Sequence, residues 1–497
     1  MASPSRAERF DLAIVGGGAA GCVLARRLAD EGEGHRRVIL IEAGPDLRAS
    51  PPADLHDGWH LCKPPDWGFE SEPGGDGQPR KIRRGRVLGG TSWLTRFAVR
   101  GAASDFDAWA AAGNAGWAFA DVLPTFRSLE TDLEFGERPW HGDGGPIPIT
   151  RYLDREPSKV HAAALAAFDA LGYPSVADHN APGAIGVGRM PMSTRDGRRV
   201  VSLDAYLPLD RQVAGLTIRA DSLVDRVRLE GGRAIGVELA DGTVILADTV
   251  VLAAGTYGSP AILMRSGIGP ADHLRTIGVD VRVDLPGVGS NLADHPGVDL
   301  NSGWLGDGTD GPLLHSIATY RSGLVAGPGP DMMFWVSDPD ADDPALYVDP
   351  ILLRPRSRGS VRLRSADPAD PPGITLPRPT DPLDLARLVD GYRRGVELAN
   401  QASFRRVVTG PPPADPGNAK ATGKVVLEQA YSIPHVVGTC AMGSSPSAGA
   451  VVDARGRVHG VDHLAVADAS IVPEPPSGFP HLITLMLAEH LASIIGP

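Results

Sequence analysis

Apolar positions along the chain fall into short runs punctuated by glycine and proline rather than into long stripes. Residues 10–15 (FDLAIV) form an apolar run that stops at Gly16-Gly17-Gly18. The next segment, AAGCVLARRLAD, carries its apolar residues at helical spacing, and VILIEAG from Val38 is again strand-like. This order predicts a strand, a glycine turn, a helix and a second strand, a β-α-β unit with a parallel pair. Periodicity is lost after about residue 50, through the loop-like GDGQPRKIRRGRVLGG, and returns as helical patterns over 104–132 and 156–171. HGDGGPIPI reads as a turn and a strand. From Leu216 to Gly255 alternating runs broken by Gly-Gly and Asp-Gly predict a meander of strands. PDMMFWVS, YVDPILLRP and SRGSVRLRS read as further strands, and helices are expected over 381–400, over 425–431 and from about His481. No repeat is present. The proline-rich pieces DPADPPGITLPRPTDP and TGPPPADPG read as surface connections.

Composition narrows the class. The 61 glycines and 45 prolines are about a fifth of the 497 residues, against a usual share near 12%. With 42% hydrophobic residues, that balance excludes a helical bundle, a coiled coil, a collagen-like repeat and a disordered chain. A loop-rich globular enzyme of two to three domains is expected. A formal charge of −12 argues against nucleic acid or an anionic membrane as partner. Cys22, Cys62 and Cys440 are too few and too widely spaced for a disulfide framework or a metal site, which fits a reducing compartment. The opening MASPSRAERF has no apolar signal-like core, and the apolar stretch near 482–495 is interrupted by Thr484, Glu489, His490 and Ser493. A soluble, cytoplasmic protein with no membrane span is expected.

Gly16-x-Gly18-x-x-Gly21 follows a strand and opens a helix, the setting in which glycines let backbone N–H groups approach a diphosphate at a helix N-terminus. Glu42 ends the second strand 24 residues past Gly18, where an acid binds a ribose hydroxyl pair; the alternative is an ordinary solvated strand-end acid. The pattern indicates dinucleotide binding without choosing between NAD and FAD. Gly89-Gly90-Thr91-Ser92 is a second tight glycine turn, suited to phosphate or flavin contact or to a plain surface turn.

GRVLGGTS at 85–92 and GTYGSPAILMRSGIG at 255–269 resemble the two signatures of the glucose-methanol-choline (GMC) oxidoreductases. PGVGSNLADHP (286–296), SRGSVRLRSADP (357–368), PHVVGTCAMG (434–443) and VADASIVPEPPSGFPHLITLMLAEHLA (466–492) are similar to the same family, in family order. The stretch from about 300 to 350 has no specific counterpart. The resemblance implies FAD, oxidation of an alcohol, and an α/β (α+β) fold: a Rossmann-type FAD-binding domain with a discontinuous substrate-binding domain containing an antiparallel sheet. It implies an FAD-binding region over 1–300 with cap segments near 151–196, a substrate-binding domain over 300–425, and a C-terminal segment, 430–497, returning to the FAD domain. On the same basis Val224 matches the position whose backbone contacts the adenine, with a buried strand valine as the alternative. Asp468 and Ala469 lie in the family's D-[AG]-S element beside the FAD diphosphate and ribityl chain, with an N-cap aspartate as the alternative. Where the family has Asn or His after its glycine turn, this chain reads Trp93-Leu94-Thr95-Arg96-Phe97. No histidine is offered there for a covalent bond, so FAD is expected to be non-covalent.

Alcohol oxidation through flavin needs a proton acceptor that is neutral near pH 7, and imidazole suits that task. Among 14 histidines, His435 matches the family's base and His481 its His/Asn partner. His481 follows Pro480 at the start of an apolar helical run, where free N–H groups and the helix dipole favour a neutral ring. His295 in ADHP reads as structural, Asn291 as a turn or a cofactor contact, and Cys440 as a packed residue without a paired base. Trp93, Arg96, Phe97, Met332, Phe334 and Trp335 are candidates for a pocket wall or for core. No metal site is expected. The expected reaction is oxidation of a CH–OH donor, with oxygen or another acceptor reoxidising the flavin. The alternatives are non-redox chemistry on the same scaffold, of the hydroxynitrile lyase or fatty-acid photodecarboxylase type, or an FAD-binding protein without catalysis.

Overall fold

A computed structural model describes residues 8–495 except 61, 75–76, 301–315, 338–346 and 408–412. Strand β1 (Glu8–Val15), helix α1 (Ala19–Glu31) and strand β2 (Val38–Ile41) form the expected unit, with β1 and β2 parallel and in register from Leu12↔Val38 to Val15↔Ile41. They belong to a seven-stranded sheet extended by Leu216–Arg219 beside β2 and Val244–Leu252 beside β1. The outer edge of Val244–Leu252 is shared. Its first half pairs with the antiparallel Arg233–Leu239, and its last three residues pair in parallel with Leu464–Val466. The C-terminal part of the chain thereby enters the same sheet as its first strand.

The second large sheet is antiparallel and six-stranded, in the order Ala430–Ser432, Pro296–Val298, Tyr347–Leu352, Met332–Ser337, Ser316–Tyr320, Val187–Arg189. Its side chains alternate between two faces. Met332, Phe334 and Val336 pack with Leu388 and Tyr392 of helix Pro382–Ala399, whereas Met333 and Trp335 pack with Phe97, Ile351 and Phe479 on the opposite face. Met332 and Phe334 are therefore core, and Phe97 and Trp335 are the members of the aromatic-rich candidates that face the cavity described below.

Two expected elements shift. The helical pattern over 104–132 becomes two helices, Ala103–Ala111 and Phe119–Leu129, because Gly113 and Gly116 between them take φ of 98° and 88°. The helix expected over 425–431 is Ala419–Gln429: Asn418 caps it by accepting from the N–H of Ala421, and Ala430–Ser432 leaves to pair in the antiparallel sheet. The first four residues of TGPPPADPG, and 301–315 and 338–346 within the stretch lacking a family counterpart, lie outside the described residues. Among the described residues no helix is long and apolar enough to cross a membrane.

A buried ionic network ties Glu130–Asp132 to the segments around residues 100, 141, 151 and 178. Arg100 donates to Glu130, Arg151 to Asp132 and Asp178, and both ring nitrogens of His141 lie on carboxylates, Nδ1 at 2.7 Å from Glu130 and Nε2 at 2.9 Å from Asp178. A histidine with a carboxylate at each nitrogen is an imidazolium. Burial alone would lower its pKa, but Asp178 and Glu130 override this and hold it above the ordinary value. Glu130, Asp132 and His141 also cluster as metal ligands would, yet Arg100 and Arg151 already supply the compensating charge. Because the folded pKa is raised, the imidazolium's contribution is complete below about pH 6.5 and is lost as pH rises through the folded-state value. His141→Ala is expected to lower unfolding stability by about 3–5 kcal/mol. Urea unfolding of both proteins at several pH values checks this: the gap should narrow toward alkaline pH, and a constant gap contradicts the assignment.

Candidate active site

A cavity of about 2840 Å³ opens at the carboxyl ends of β1 and β2 and runs to the inner face of the antiparallel sheet. Gly16, Gly18, Glu42, Gly90, Thr91, Ser92, Val224, His435, Asp468, Ala469 and His481 all line it, whereas Gly21 and Gly89 do not.

The glycines at the first turn are needed for different reasons. Gly16 has φ +102°, and a Cβ there would meet the Ala253 carbonyl oxygen at 2.6 Å. A Cβ on Gly21 would fall inside the Gly16 carbonyl oxygen, so this glycine lets α1 pack on the turn. Gly90 lies over Gly18, where its Cβ would come 2.7 Å from the Gly18 Cα. Gly18 itself is extended, and a Cβ on it would meet no protein atom within 4 Å. The protein gives no reason for glycine at 18, whereas a group seated in the cavity against the first turn of α1 does. Past Gly17, whose N–H donates to Glu42, the first N–H with a backbone partner is that of Cys22, which leaves the donors of residues 18–21 for an anion.

Glu42 lines the cavity, with Oε2 accepting from the N–H of Gly17 and Oε1 from that of Gly44, both at 2.8 Å. Burial lifts its pKa above the ordinary carboxylate value against those two donors. Asp468 is spent on protein groups: Oδ2 accepts from the N–H of Gly255 and from Ser259 Oγ, and Oδ1 from the N–H of Ser470. It caps the short Ala469–Ile471 turn and clips that turn to the start of helix Gly255–Arg265, leaving its neighbour Ala469 in the cavity wall. Trp93 is not in the wall. It is fully buried, its indole N–H donates to Leu88 O, and its ring lies where a Cβ on Gly89 would stand. Leu94, Thr95 and Phe97 face the cavity instead.

At the far end His435 and His481 line the wall around Phe479, whose ring meets that of His435 edge-on at 4.8 Å. His481 opens the C-terminal helix Pro480–Ile495, and its Nε2 has no hydrogen-bond partner. Burial pushes its pKa down to about 4. His435 is held well below the ordinary value by burial, by His295 and by the Arg84 guanidinium. Arg84 donates to Pro434 O at 2.9 Å and lies over the Tyr257 ring. The N–H of His435 donates to Asp294 Oδ1 at 2.7 Å, and His435 Nδ1 lies 3.1 Å from His295 Nδ1. No partner stands at His435 Nε2 among the described residues. Both imidazoles line the cavity, are therefore neutral near pH 7, and each has an unpartnered ring nitrogen. Asp294 and Arg84 escaped the sequence reading, and His295 was weighed as structural; the Asp-His dipeptide of ADHP was the available signal. Asn291 donates to Pro473 O and accepts from Arg358, a tie between segments. Cys440 is fully buried, and burial pushes its thiol pKa well up, which suits packing rather than reactivity.

The sequence profile of the GMC oxidoreductase family matches residues 10–297, and a second profile of the same family matches residues 355–488. The chain is 33% identical to a 5-(hydroxymethyl)furfural oxidase of Methylovorus sp. (strain MP688), over 98% of each chain. It is 31% identical to a chloroplastic fatty acid photodecarboxylase of Chlamydomonas reinhardtii, over 99% of this chain and 92% of that one. The crystal structure of pyridoxine 4-oxidase from Mesorbium loti superposes with a TM-score of 0.86 at 32% identity, covering 98% of this chain and 99% of that one. The chain belongs to the GMC oxidoreductase family, whose members bind FAD. The open space over Gly18 and the donors of α1 fit a dinucleotide diphosphate.

Gly18→Val should leave the fold intact, since a Cβ there meets no protein atom within 4 Å, and should cut bound flavin at least tenfold. Gly21→Ala should instead lower unfolding stability by about 1–3 kcal/mol through overpacking. The 450 to 280 nm absorbance ratio and thermal unfolding of each variant distinguish the two; retained flavin in Gly18→Val contradicts the placement.

Proposed function

We propose that this GMC oxidoreductase oxidises an alcohol to its carbonyl compound, with His435 accepting the hydroxyl proton at Nε2 and His481 completing the hydroxyl's seat. The observation that carries this reading is the presence, in one cavity wall, of two neutral imidazoles each with an unpartnered ring nitrogen. A neutral imidazole placed at a hydroxyl accepts its proton as the carbinol carbon gives up hydride, which balances loss of two hydrogens from the alcohol. When bound, FAD supplies the two-electron acceptor for that hydride.

The chain's own residues divide the remaining work. Gly16, Gly18 and the first turn of α1, with Gly21 behind them, would hold the diphosphate, and Glu42 would accept from the ribose hydroxyls. Val224 would border the adenine. Gly90, Thr91 and Ser92, with Gly89 forming their turn, would approach the opposite side of the cofactor, and Ala469, held by Asp468, would border the ribityl chain. Phe97, Trp335 and Phe479 exclude water around His435, as their mutual ring contacts of 5.5–5.7 Å indicate. FAD is held without a covalent bond in this reading, since the segment Trp93-Leu94-Thr95-Arg96-Phe97 offers no histidine where the family has Asn or His. The three buried, unpaired cysteines support a cytoplasmic setting.

His435→Ala, with FAD still bound, should slow anaerobic flavin reduction by alcohol by about 10²–10⁴-fold; unchanged reduction overturns the assignment of the base. Because the folded pKa of His435 is depressed, kcat/KM should hold as pH falls past 6.5 and decline only below it, as the base becomes protonated; a limb centred above pH 7 contradicts this. Acid precipitation should release the yellow colour into the supernatant, whereas flavin remaining in the pellet would mean a covalent bond.

A further inference from the structure

We infer that His295 is a positioning residue that fixes the tautomer of His435, so that the bare nitrogen of His435 is the one at the cavity. His295 Nε2 lies 3.0 Å from the carbonyl oxygen of Pro476, which only accepts, so Nε2 carries the hydrogen. His295 is 1% exposed and burial keeps the ring neutral against the Pro476 and Leu353 carbonyls, so with Nε2 protonated its Nδ1 is bare. That bare nitrogen lies 3.1 Å from His435 Nδ1, with the rings perpendicular, and must receive a hydrogen from it. His435 Nδ1 is thereby protonated and Nε2 is free as the acceptor.

The backbone holds this pair in place. Ala293 and Val437 exchange two N–H···O bonds, and the N–H of Ile433 donates to His295 O, so the segments bearing the two histidines run as a short antiparallel ladder. Asp294 Oδ1 accepts from the N–H groups of both His295 and His435, at 2.8 and 2.7 Å, and Ser432 Oγ donates to its other oxygen. The chain of rings ends on a carbonyl that cannot take up a proton, so it orients His435 and is no exit route. An imidazole left in the wrong tautomer by its orienting partner costs about 10⁴ in kcat in a serine-protease triad, which sets the scale.

This inference rests on His435 being the base, and the test separates the two. Long-range ¹H–¹⁵N spectra of FAD-loaded enzyme with ¹⁵N-labelled histidine, assigned by loss of signal in His435→Gln, report the tautomer without reference to activity. The Nδ1–H form is expected; an Nε2–H form or an imidazolium near pH 7 overturns the inference while leaving the base assignment to its own variant. Kinetics give the second arm. Asn at 295 retains an acceptor at the Nδ1 position, whereas Gln retains only a donor toward Pro476. His295→Asn should reduce its flavin within about tenfold of the wild-type rate and His295→Gln at least about a hundredfold more slowly, both with full FAD and wild-type melting temperature. Equal losses or the reverse order overturn the inference; where a variant fails to load FAD, the wild-type spectrum decides.

Discussion

The arrangement of the cavity depends on a three-residue parallel pairing, Leu464–Val466 against Val250–Leu252. It brings a segment more than two hundred residues downstream into the sheet that begins with β1. Asp468, two residues past that strand, then reaches the N–H of Gly255 and the hydroxyl of Ser259. Upstream, the chain carrying His435 ladders onto Ala293–His295; downstream, Phe479–His481 opens the last helix, which packs on α1 and is held there by Arg27–Glu489. Segments near residues 18, 42, 90, 255, 295, 435 and 481 thus share one wall. That pairing, with the bonds from Thr256 to Val436 O and from Thr439 to Thr256 O, sets the relation of the two histidines to the glycine turns.

Given that frame, environment decides what each histidine does. His141 sits between two carboxylates and is charged, serving the fold. His435 and His481 are half-buried, have no carboxylate at either ring and are neutral, the state that the proposed proton acceptance by His435 needs. His295 takes its character from a backbone carbonyl and gives its neighbour an acceptor. The same side chain plays three parts because desolvation, charge and hydrogen bonding compete differently at each place.

What was legible in the sequence follows from how local each signal is. FDLAIV-GGG-AAGCVLARRL and the following VILIEAG specify the β-α-β unit between Glu8 and Ile41, and the glycine at 18 marks open space because the rest of the motif fixes its context. The pattern of Met332 to Trp335 does not say which face of the strand meets the cofactor side; that is set by the helix Pro382–Ala399 covering the other face. Trp93 reads from sequence as pocket wall or core, and the tight Gly89 turn that drops its indole into the core decides between them. The role inferred for His295 arises from a partner 140 residues away, and Asp294 gains its purpose only when both backbones are present. The start of helix Ala419–Gln429 was missed because its polar first turn carries no apolar stripe, although Asn418 marks its cap.

Wild-type holoenzyme mixed anaerobically with a panel of primary, benzylic and sugar alcohols, each compared with its α-deuterated form, tests the central claim most directly. The account predicts that at least one alcohol bleaches the flavin with one carbonyl product per flavin, and more slowly when the carbinol carbon bears deuterium. Product formed from any substrate class without bleaching, or a flavin that no alcohol reduces, would contradict it.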